Sequence, residues 1–371
     1  MENKYALKNL NFTNTLFLLL TPIALIISTV YWLETEGMNL SVLSFTILTY
    51  ILSGISITAG YHRLFAHKTY EAHPIIKILF LITGATAFQN SVLKWASDHR
   101  QHHSKVDTEN DPYNINEGFF FAHMGWIFLN KNSDIKERYA KDLLADKWIV
   151  MQHKYYTLIA VVFGFVVPTL LCHFLFDSYL AGVVSSLARV VLVHHCTFLI
   201  NSLCHCFGSR PYTDTNSAKD NWLMAFFTFG EGYHNFHHFF QTDFRNGVSW
   251  YDFDPTKWLI KTLAHFRLAS NLKLTSKKRI MDAKLSMALK NIENSGGFYS
   301  YANEFEEMKL RIMDSLKRIE NFRNEIKTIK PQRDKMSLRA AKVKLQGAKK
   351  DLRIHLVLWK LNIQRLEQNF I

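Results

Sequence analysis

No CxxC pair occurs among the four cysteines of this 371-residue chain, which excludes a zinc ribbon. Cys172, Cys196, Cys204 and Cys206 fall in or beside apolar tracts, where a disulfide framework has no place, and they are expected to be reduced. There is no GxGxxG motif and no haem-binding domain, so the chain carries no reductase of its own. Charge is scarce in four tracts, 12–32, 40–60, 156–176 and 180–200, where Arg189 is the only charged residue. Each has the length that a bilayer core requires, about 20 helical residues. No small-x-small cleavage site follows the first tract, so it is expected to stay as an anchor. The fold class implied is all-α: a polytopic membrane protein with four spans in two hairpins.

The two short connectors also lack positive charge. Residues 33–39 carry Glu34 and Glu36 and no Lys or Arg, and Asp177-Ser-Tyr179 joins the last two spans, whereas 61–155 holds 12 Lys or Arg. The positive-inside rule then predicts both termini and the long loop to be cytoplasmic. That means the inner membrane of a bacterium or the endoplasmic reticulum of a eukaryote. Net charge is +13, yet 23 Lys or Arg against 11 Asp or Glu lie beyond residue 270, so the basic surplus belongs to the C-terminal region.

What the chain has in abundance is histidine. Eight of its 17 histidines fall in His62-Arg-Leu-Phe-Ala-His67, His99-Arg-Gln-His102-His103 and His234-Asn-Phe-His237-His238, and His205 stands four residues after Asn201. Neutral imidazole is the commonest protein ligand for iron, zinc and copper. His99 with His103, and His234 with His238, share a helical face. His102 and His237 sit on the neighbouring edge and could serve a second ion. His62 and His67 would diverge on an unbroken helix, which predicts that the helix loosens between them. All nine histidines lie at or beyond the predicted cytoplasmic ends of the second and fourth spans, in a helical cap.

Ile75 to Phe88 is too short to span and reads as an interfacial helix or, alternatively, a buried soluble one. Asp98, Asp107 and Asp111 flank the second box as candidates to orient ligand rings, or as ordinary turn residues. His123 and His153 read as structural. Asp243-Phe-Arg-Asn246-Gly247 reads as a tight turn using positive φ. Residues 1–265 form the predicted membrane domain and 266–371 a helical extension. Phe305, Ile312, Ile319 and Ile326 recur every seven residues, as do Leu338, Leu345, Leu352, Trp359 and Leu366. Two helices folded into an antiparallel hairpin follow from that, after a hinge at Asn294-Ser-Gly296-Gly297, with a basic face resting on anionic lipid or on solvent.

The series HxxxxH, HxxHH, HxxHH resembles the integral-membrane fatty-acyl desaturases. Thr58-Ala-Gly60-Tyr-His62-Arg-Leu, Ala87-Phe-Gln89-Asn, Asp111-Pro-Tyr113 and Gly230-Glu-Gly232-Tyr-His234-Asn-Phe-His237-His238 resemble the stearoyl-CoA Δ9 branch, over about residues 12–265. The resemblance implies oxygen-dependent desaturation of a fatty-acyl chain by a non-haem di-iron centre. It implies one iron held by His62, His67, His99, His103 and His237, and a second by His102, His205, His234 and His238, with Asn201 reaching it through a water. It also implies an acyl tunnel bent around Gln89, Trp95 and Thr197, with Phe198 where many relatives carry tryptophan, and Ser97 where animal members have an arginine for the nucleotide. The substrate would be acyl-CoA or another acyl carrier, O2 the co-substrate, and a ferredoxin or cytochrome b5-like protein with its reductase the electron donor. No nucleic-acid partner is expected. From helical rise, Gly54 and Tyr50 lie about 12 Å and about 18 Å above the metal level. Gly54 is expected to leave room for the methyl end and Tyr50 to form the floor, or else Gly54 lets two helices approach closely.

Two other functions use similar features. A membrane di-iron alkane or lipid hydroxylase would insert oxygen after the same first abstraction. A histidine-rich metal carrier or sensor would need polar ligands along a path through the spans rather than at one face.

Overall fold

The computed structural model describes residues 7–130, 134–294, 299–332 and 334–369, which are almost entirely helical. Among the described residues, four helices are long and apolar enough to cross a membrane: α1 (Phe12–Thr35), α2 (Leu40–Ala66), α7 (Tyr156–Phe176) and α8 (Tyr179–Cys206). The shorter helices that matter for the site are α3 (Pro74–Ala85), α4 (Val92–Lys105), α5 (Phe119–His123), α6 (Lys147–Lys154), α9 (Trp222–Phe227), α10 (His234–Phe239) and α11 (Pro255–His265).

Local chemistry sets the helix ends. Asn11 and Asn39 accept from Asn14 N and Ser41 N at the starts of α1 and α2, satisfying backbone donors that have no intrahelical partner. Between α7 and α8, Asp177 takes a left-handed φ of 54° and Ser178 caps the next helix. These two helices pack closely, because a Cβ at Gly182 would meet Thr169 Cα at 2.6 Å. Arg189, charged within a span, is buried and donates to Ser53 Oγ at 3.1 Å, to Gly164 O at 2.5 Å and to Thr86 O. Backbone carbonyls stand in for the water that it loses.

The second and fourth spans are longer than their apolar tracts. Helix α2 continues past residue 60 as a π-helix over Ser56–Ala66, and His67 N donates to His62 O at 3.0 Å. A π turn bonds each residue to the one five before it, so His62 and His67 come onto one face. This is the loosening that their spacing requires. Helix α3 has Phe80 and Leu81 buried and Ile75 and Leu79 exposed, an apolar outer face as an interfacial helix needs. Neither Asn246 nor Gly247 has positive φ, contrary to the expected turn. Both backbone amides instead donate to Asp254 Oδ2, at 2.9 and 3.0 Å, and the carboxylate rather than the turn type shapes that loop.

The chain divides into two compact units, 1–210 with 215–274, and 211–214 with 275–371. The first unit runs beyond residue 265 because Ala269–Ser270 pairs antiparallel with Glu71–Ala72 and Lys273 N donates to Thr69 O. The second contains three helices, α12 (Lys277–Asn294), α13 (Tyr299–Ile329) and α14 (Lys335–Asn369). Helices α13 and α14 are antiparallel, since Asn362 bonds Glu304, His355 bonds Ser315 and Asp351 bonds Arg318. Helix α12 adds Leu285 and Leu289 to a core of Phe305, Ile312, Trp359 and Leu366. The hinge expected at Asn294-Ser-Gly296-Gly297 lies outside the described residues from 295 onward.

Candidate metal centre and adjoining cavity

The nine histidines come from four helices, with His67 at the C-terminal cap of α2, and converge as two groups. His62, His67, His99, His103 and His237 form one; His102, His205, His234 and His238 form the other, with the candidate ligand atoms of each group within 4.8 Å of one another. In the first, His67 Nε2 is 2.8 Å from His99 Nε2, and His237 Nε2 is 3.0 Å from His62 Nε2 and 2.9 Å from His103 Nε2. In the second, His234 Nε2 is 3.0 Å from His205 Nε2 and 3.1 Å from His238 Nε2, and His102 Nε2 is 3.3 Å from His238 Nε2. Helix α4 serves both groups, because His102 projects from the edge beside the His99 and His103 face.

The outer ring nitrogens decide what the inner ones can do. His102 Nδ1 donates to Asp111 Oδ1 at 2.8 Å. His205 Nδ1 donates to Ser217 Oγ at 2.6 Å, and the Ser217 hydroxyl passes its proton on to Asp107, which stands at φ 63°. His62 Nδ1 lies 2.8 Å from Glu231 Oε2, close but off the line of a straight hydrogen bond. With their Nδ1 protons committed outward, His102 and His205 each turn a bare Nε2 lone pair inward. Burial, and then the neighbouring rings, pushes the basicity of His99, His103, His234, His237 and His238 well below the ordinary histidine value, so these rings are neutral. Bare lone pairs about 3 Å apart repel unless a cation lies between them. The donor set therefore fits metal ions, and its all-imidazole chemistry suits first-row transition metals.

Around Glu231 is a buried network that the motifs alone leave without a role. Glu231 Oε1 accepts from Arg63 Nε at 3.1 Å, and Oε2 accepts from Asn246 Nδ2 at 2.7 Å. Arg63 also donates to Asp254 and to Phe244 O. Burial works to raise the Glu231 carboxyl, but the His62 ring and the Arg63 guanidinium beside it outweigh that and hold it below the usual carboxylate range. Of the three aspartates expected near the rings, Asp111 bonds one directly and Asp107 acts through Ser217. Asp98 does not reach a ring. It is held at 2.5 Å by Lys94, and burial pushes its carboxyl up to about 6. His123 contacts His195 and Ser202, and His153 contacts Ser91, outside both groups.

A cavity of about 370 Å³ reaches the two histidine groups at His62 and His234 and is also lined by Asn201, Trp95, Gln89 and Thr197. Trp95 Nε1 donates to Gln89 Oε1 at 3.2 Å, and Gln89 Nε2 donates to Thr197 Oγ1 at 2.9 Å. Tyr50 and Gly54 line the same cavity. The space beside Gly54 is not open, however. A Cβ there would come within 2.1 Å of Phe229 Cε2, so the glycine admits a ring of this chain. The Tyr50 hydroxyl donates to Phe227 O at 2.5 Å. Ser97 is buried and exchanges hydrogen bonds with the Lys136 backbone, so its side chain is directed at the protein.

A family model described as fatty acid desaturase matches residues 39–270. The chain belongs to the fatty acid desaturase family. Members similar to it include Acyl-CoA desaturase 1 of Saccharomyces cerevisiae, 40% identical over 257 residues, which are 69% of this chain and 50% of that protein. Stearoyl-CoA desaturase 5 of Homo sapiens is 37% identical over 237 residues, 62% of this chain and 72% of that protein. Delta(9)-fatty-acid desaturase fat-6 of Caenorhabditis elegans is 38% identical over 235 residues, 62% of this chain and 69% of its own length. The chain spans about half the length of the Saccharomyces cerevisiae protein, at 50%, and of a Probable acyl-CoA desaturase of Schizosaccharomyces pombe, at 51%. With its four apolar helices, this family member is a multi-pass membrane protein.

Proposed function

We propose that this chain introduces a cis double bond at the Δ9 position of a saturated fatty acyl-CoA, using O2 and a non-haem di-iron centre. The observation that carries this reading is an apolar-lined cavity ending on two groups of converging imidazoles. Acyl-CoA and stearoyl-CoA desaturases are named among the similar proteins, which supports the same carrier here. A second, polar cavity of about 360 Å³, lined by Lys94, His153 and Lys154, shares Asn90, Tyr156 and Thr157 with the first. With Lys94 already paired to Asp98, its cation for the phosphates of a coenzyme A headgroup would be Lys154, in a lining that also holds Asp134.

When bound, the two irons would supply oxygen activation strong enough to break an unactivated C–H bond, which no side chain can do. His62, His67, His99, His103 and His237 would hold one iron. His102, His205, His234 and His238 would hold the other, with Asn201 through a water. Glu231, Asp111 and the Ser217–Asp107 pair fix the ring orientations. The Trp95–Gln89–Thr197 chain braces one wall, so that a single methylene pair is presented and other C–H bonds are kept away. Tyr50, tied to Phe227, and Phe229 close the far end, where a chain of about 16 to 18 carbons would stop by the helical rise. Two of the four electrons that reduce O2 to water come from the substrate. The others would come from an external ferredoxin or cytochrome b5-like donor, on the cytoplasmic side where both termini also lie.

The test is expression in a host lacking its own Δ9 desaturase. Cis-Δ9 acyl chains lighter than their precursors by two hydrogens are expected in its lipids. Products heavier by one oxygen would assign hydroxylation instead, and unchanged lipids with full iron content would sink the reading.

A further inference from the structure

Helix α14 carries two apolar seams, of which only one is covered among the described residues. Ala341, Ala348, Trp359 and Leu366 are buried on the face marked by the Ser315–His355 and Arg318–Asp351 contacts with α13. On another face, Met336, Val343, Ile354, Val357 and Leu361 are 84%, 62%, 46%, 51% and 46% exposed. With Ala340, Gly347 and Lys350 they recur at alternating intervals of four and three residues, the spacing that keeps one stripe in line along a helix. So long an uncovered stripe marks an interaction surface.

The flanks identify the occupant. Between Met336 and Arg365 there are eight basic residues and one acidic residue, Asp351, which is engaged by Arg318 at 2.8 Å. Arg339, Arg353 and Lys360 border the stripe on one side, and Lys344 and Arg365 on the other. A second copy of α14 packed on this stripe would set these rows against each other, like charge on like. The middle of the stripe also does not suit a helical partner. A Cβ added at Gly347 would meet nothing within 4 Å, and Lys350 takes the next position, leaving a hole beside a charge. Lipid conforms to such a surface, and a lysine among aliphatic residues can lay its stem along them while its ammonium reaches the headgroups.

We propose that this face of α14 rests on the anionic lipid surface of the membrane that the four spans cross, the aliphatic stripe entering the headgroup boundary and the basic rows pairing with lipid phosphates. It rests on the membrane reading of those spans. Each Lys or Arg brought to such a surface strengthens the contact about fivefold, and high salt weakens it.

The test uses the full chain, one copy per nanodisc, in neutral phosphatidylcholine and in an equal mixture with phosphatidylglycerol. Lysines are acylated with a water-soluble reagent and read by mass spectrometry. Lys350 and Lys360 are expected to react about fivefold or more slowly in the anionic discs, with the difference lost in high salt. Lys342 and Lys349, on a third face, should react equally in both. An Ile354→Ser, Leu361→Ser double variant should restore the fast rate without lowering the melting temperature, since both side chains are outside the tail core. Equal Lys350 rates in the two lipids would overturn the proposal. So would protection that grows with protein concentration in neutral lipid, which would assign the stripe to a second copy. A chain that did not enter discs would instead overturn the membrane reading.

Discussion

The histidine-rich unit and the C-terminal unit are both helical, but different forces define them. In the first, the buried residues that matter are polar: Arg63, Glu231, Asp254, Asn246 and Lys257 share one hydrogen-bonded network beneath the rings. In the second, Phe305, Ile312, Trp359 and Leu366 make an aliphatic and aromatic core, and ion pairs such as Arg318–Asp351 stand at the surface with side chains 44% and 39% exposed. Removing one member of a buried polar network leaves its partner unsatisfied, at about 1–3 kcal/mol or more for a charge. Truncating an apolar core residue costs according to the cavity left behind. The two units should therefore respond to different mutations, and in different observables.

The largest effect belongs to the ligands. His102→Ala should abolish turnover while the protein still inserts, because the four-histidine group loses an imidazole that nothing nearby replaces. Near-normal turnover with full iron content would overturn that assignment. Glu231→Gln keeps the side-chain size but removes the charge facing His62 and Arg63, and metal affinity should fall by about 10–100-fold. Direct metal titration should place the weakening in the five-histidine group, and Asp111→Asn should place a similar loss in the other.

Acid offers a third comparison. Buried rings with lowered basicity stay neutral in the folded, metal-free protein, while in the unfolded chain histidines take up protons below about pH 6.5. The unfolded state then binds more protons, so stability should fall as pH drops below that value and level off above it. Bound metal should delay the loss, since protons compete for the same lone pairs. Melting curves of metal-free and loaded protein would reveal either pattern.

Effects confined to the tail should leave turnover untouched. Trp359→Ala empties the centre of its core and should cost about 3–5 kcal/mol. The expected readout is rapid proteolysis beyond residue 275 with turnover unchanged, and metal loss would contradict it. Smallest of all, Arg318→Ala removes an exposed ion pair worth about 0.2–1 kcal/mol, a shift in tail melting near the limit of detection.

What could be read from the sequence follows the same division. The ligand histidines and the four spans are local patterns, expressed in spacings of a few residues or in apolar runs, and the resemblance sorted the rings into two sets that match the groups seen in space. The supports were much less visible. Ser217 lies between two motifs and has no spacing to mark it, and only the fold brings it to His205. Glu231 stood inside a quoted motif, but Arg63, Asn246 and Asp254 meet it only through contacts between distant parts of the chain. Asp98 looked like a ring partner because it precedes His99, yet that position points its carboxylate toward Lys94, one helical turn away. In the tail, the seven-residue recurrence exposed the hairpin. Helix α12 was missed because its seven-residue recurrence, Met281 to Ala288 and Leu285 to Ile292, runs for only one interval on each seam.

The π-helical stretch at the end of α2 makes the spacing of the first box a statement about backbone geometry. Deleting one residue between His62 and His67 would leave both imidazoles present and let the segment rewind as an ordinary α-helix, a change favoured by its own hydrogen bonding. The cost would appear downstream, because everything from His67 to the Glu71–Ala72 strand would be turned by about a quarter of a revolution and drawn back along the axis. A one-residue deletion here would thus act as a register error transmitted to α3 and α4. Alignments that treat the four intervening residues as interchangeable filler overlook that their number is the constraint.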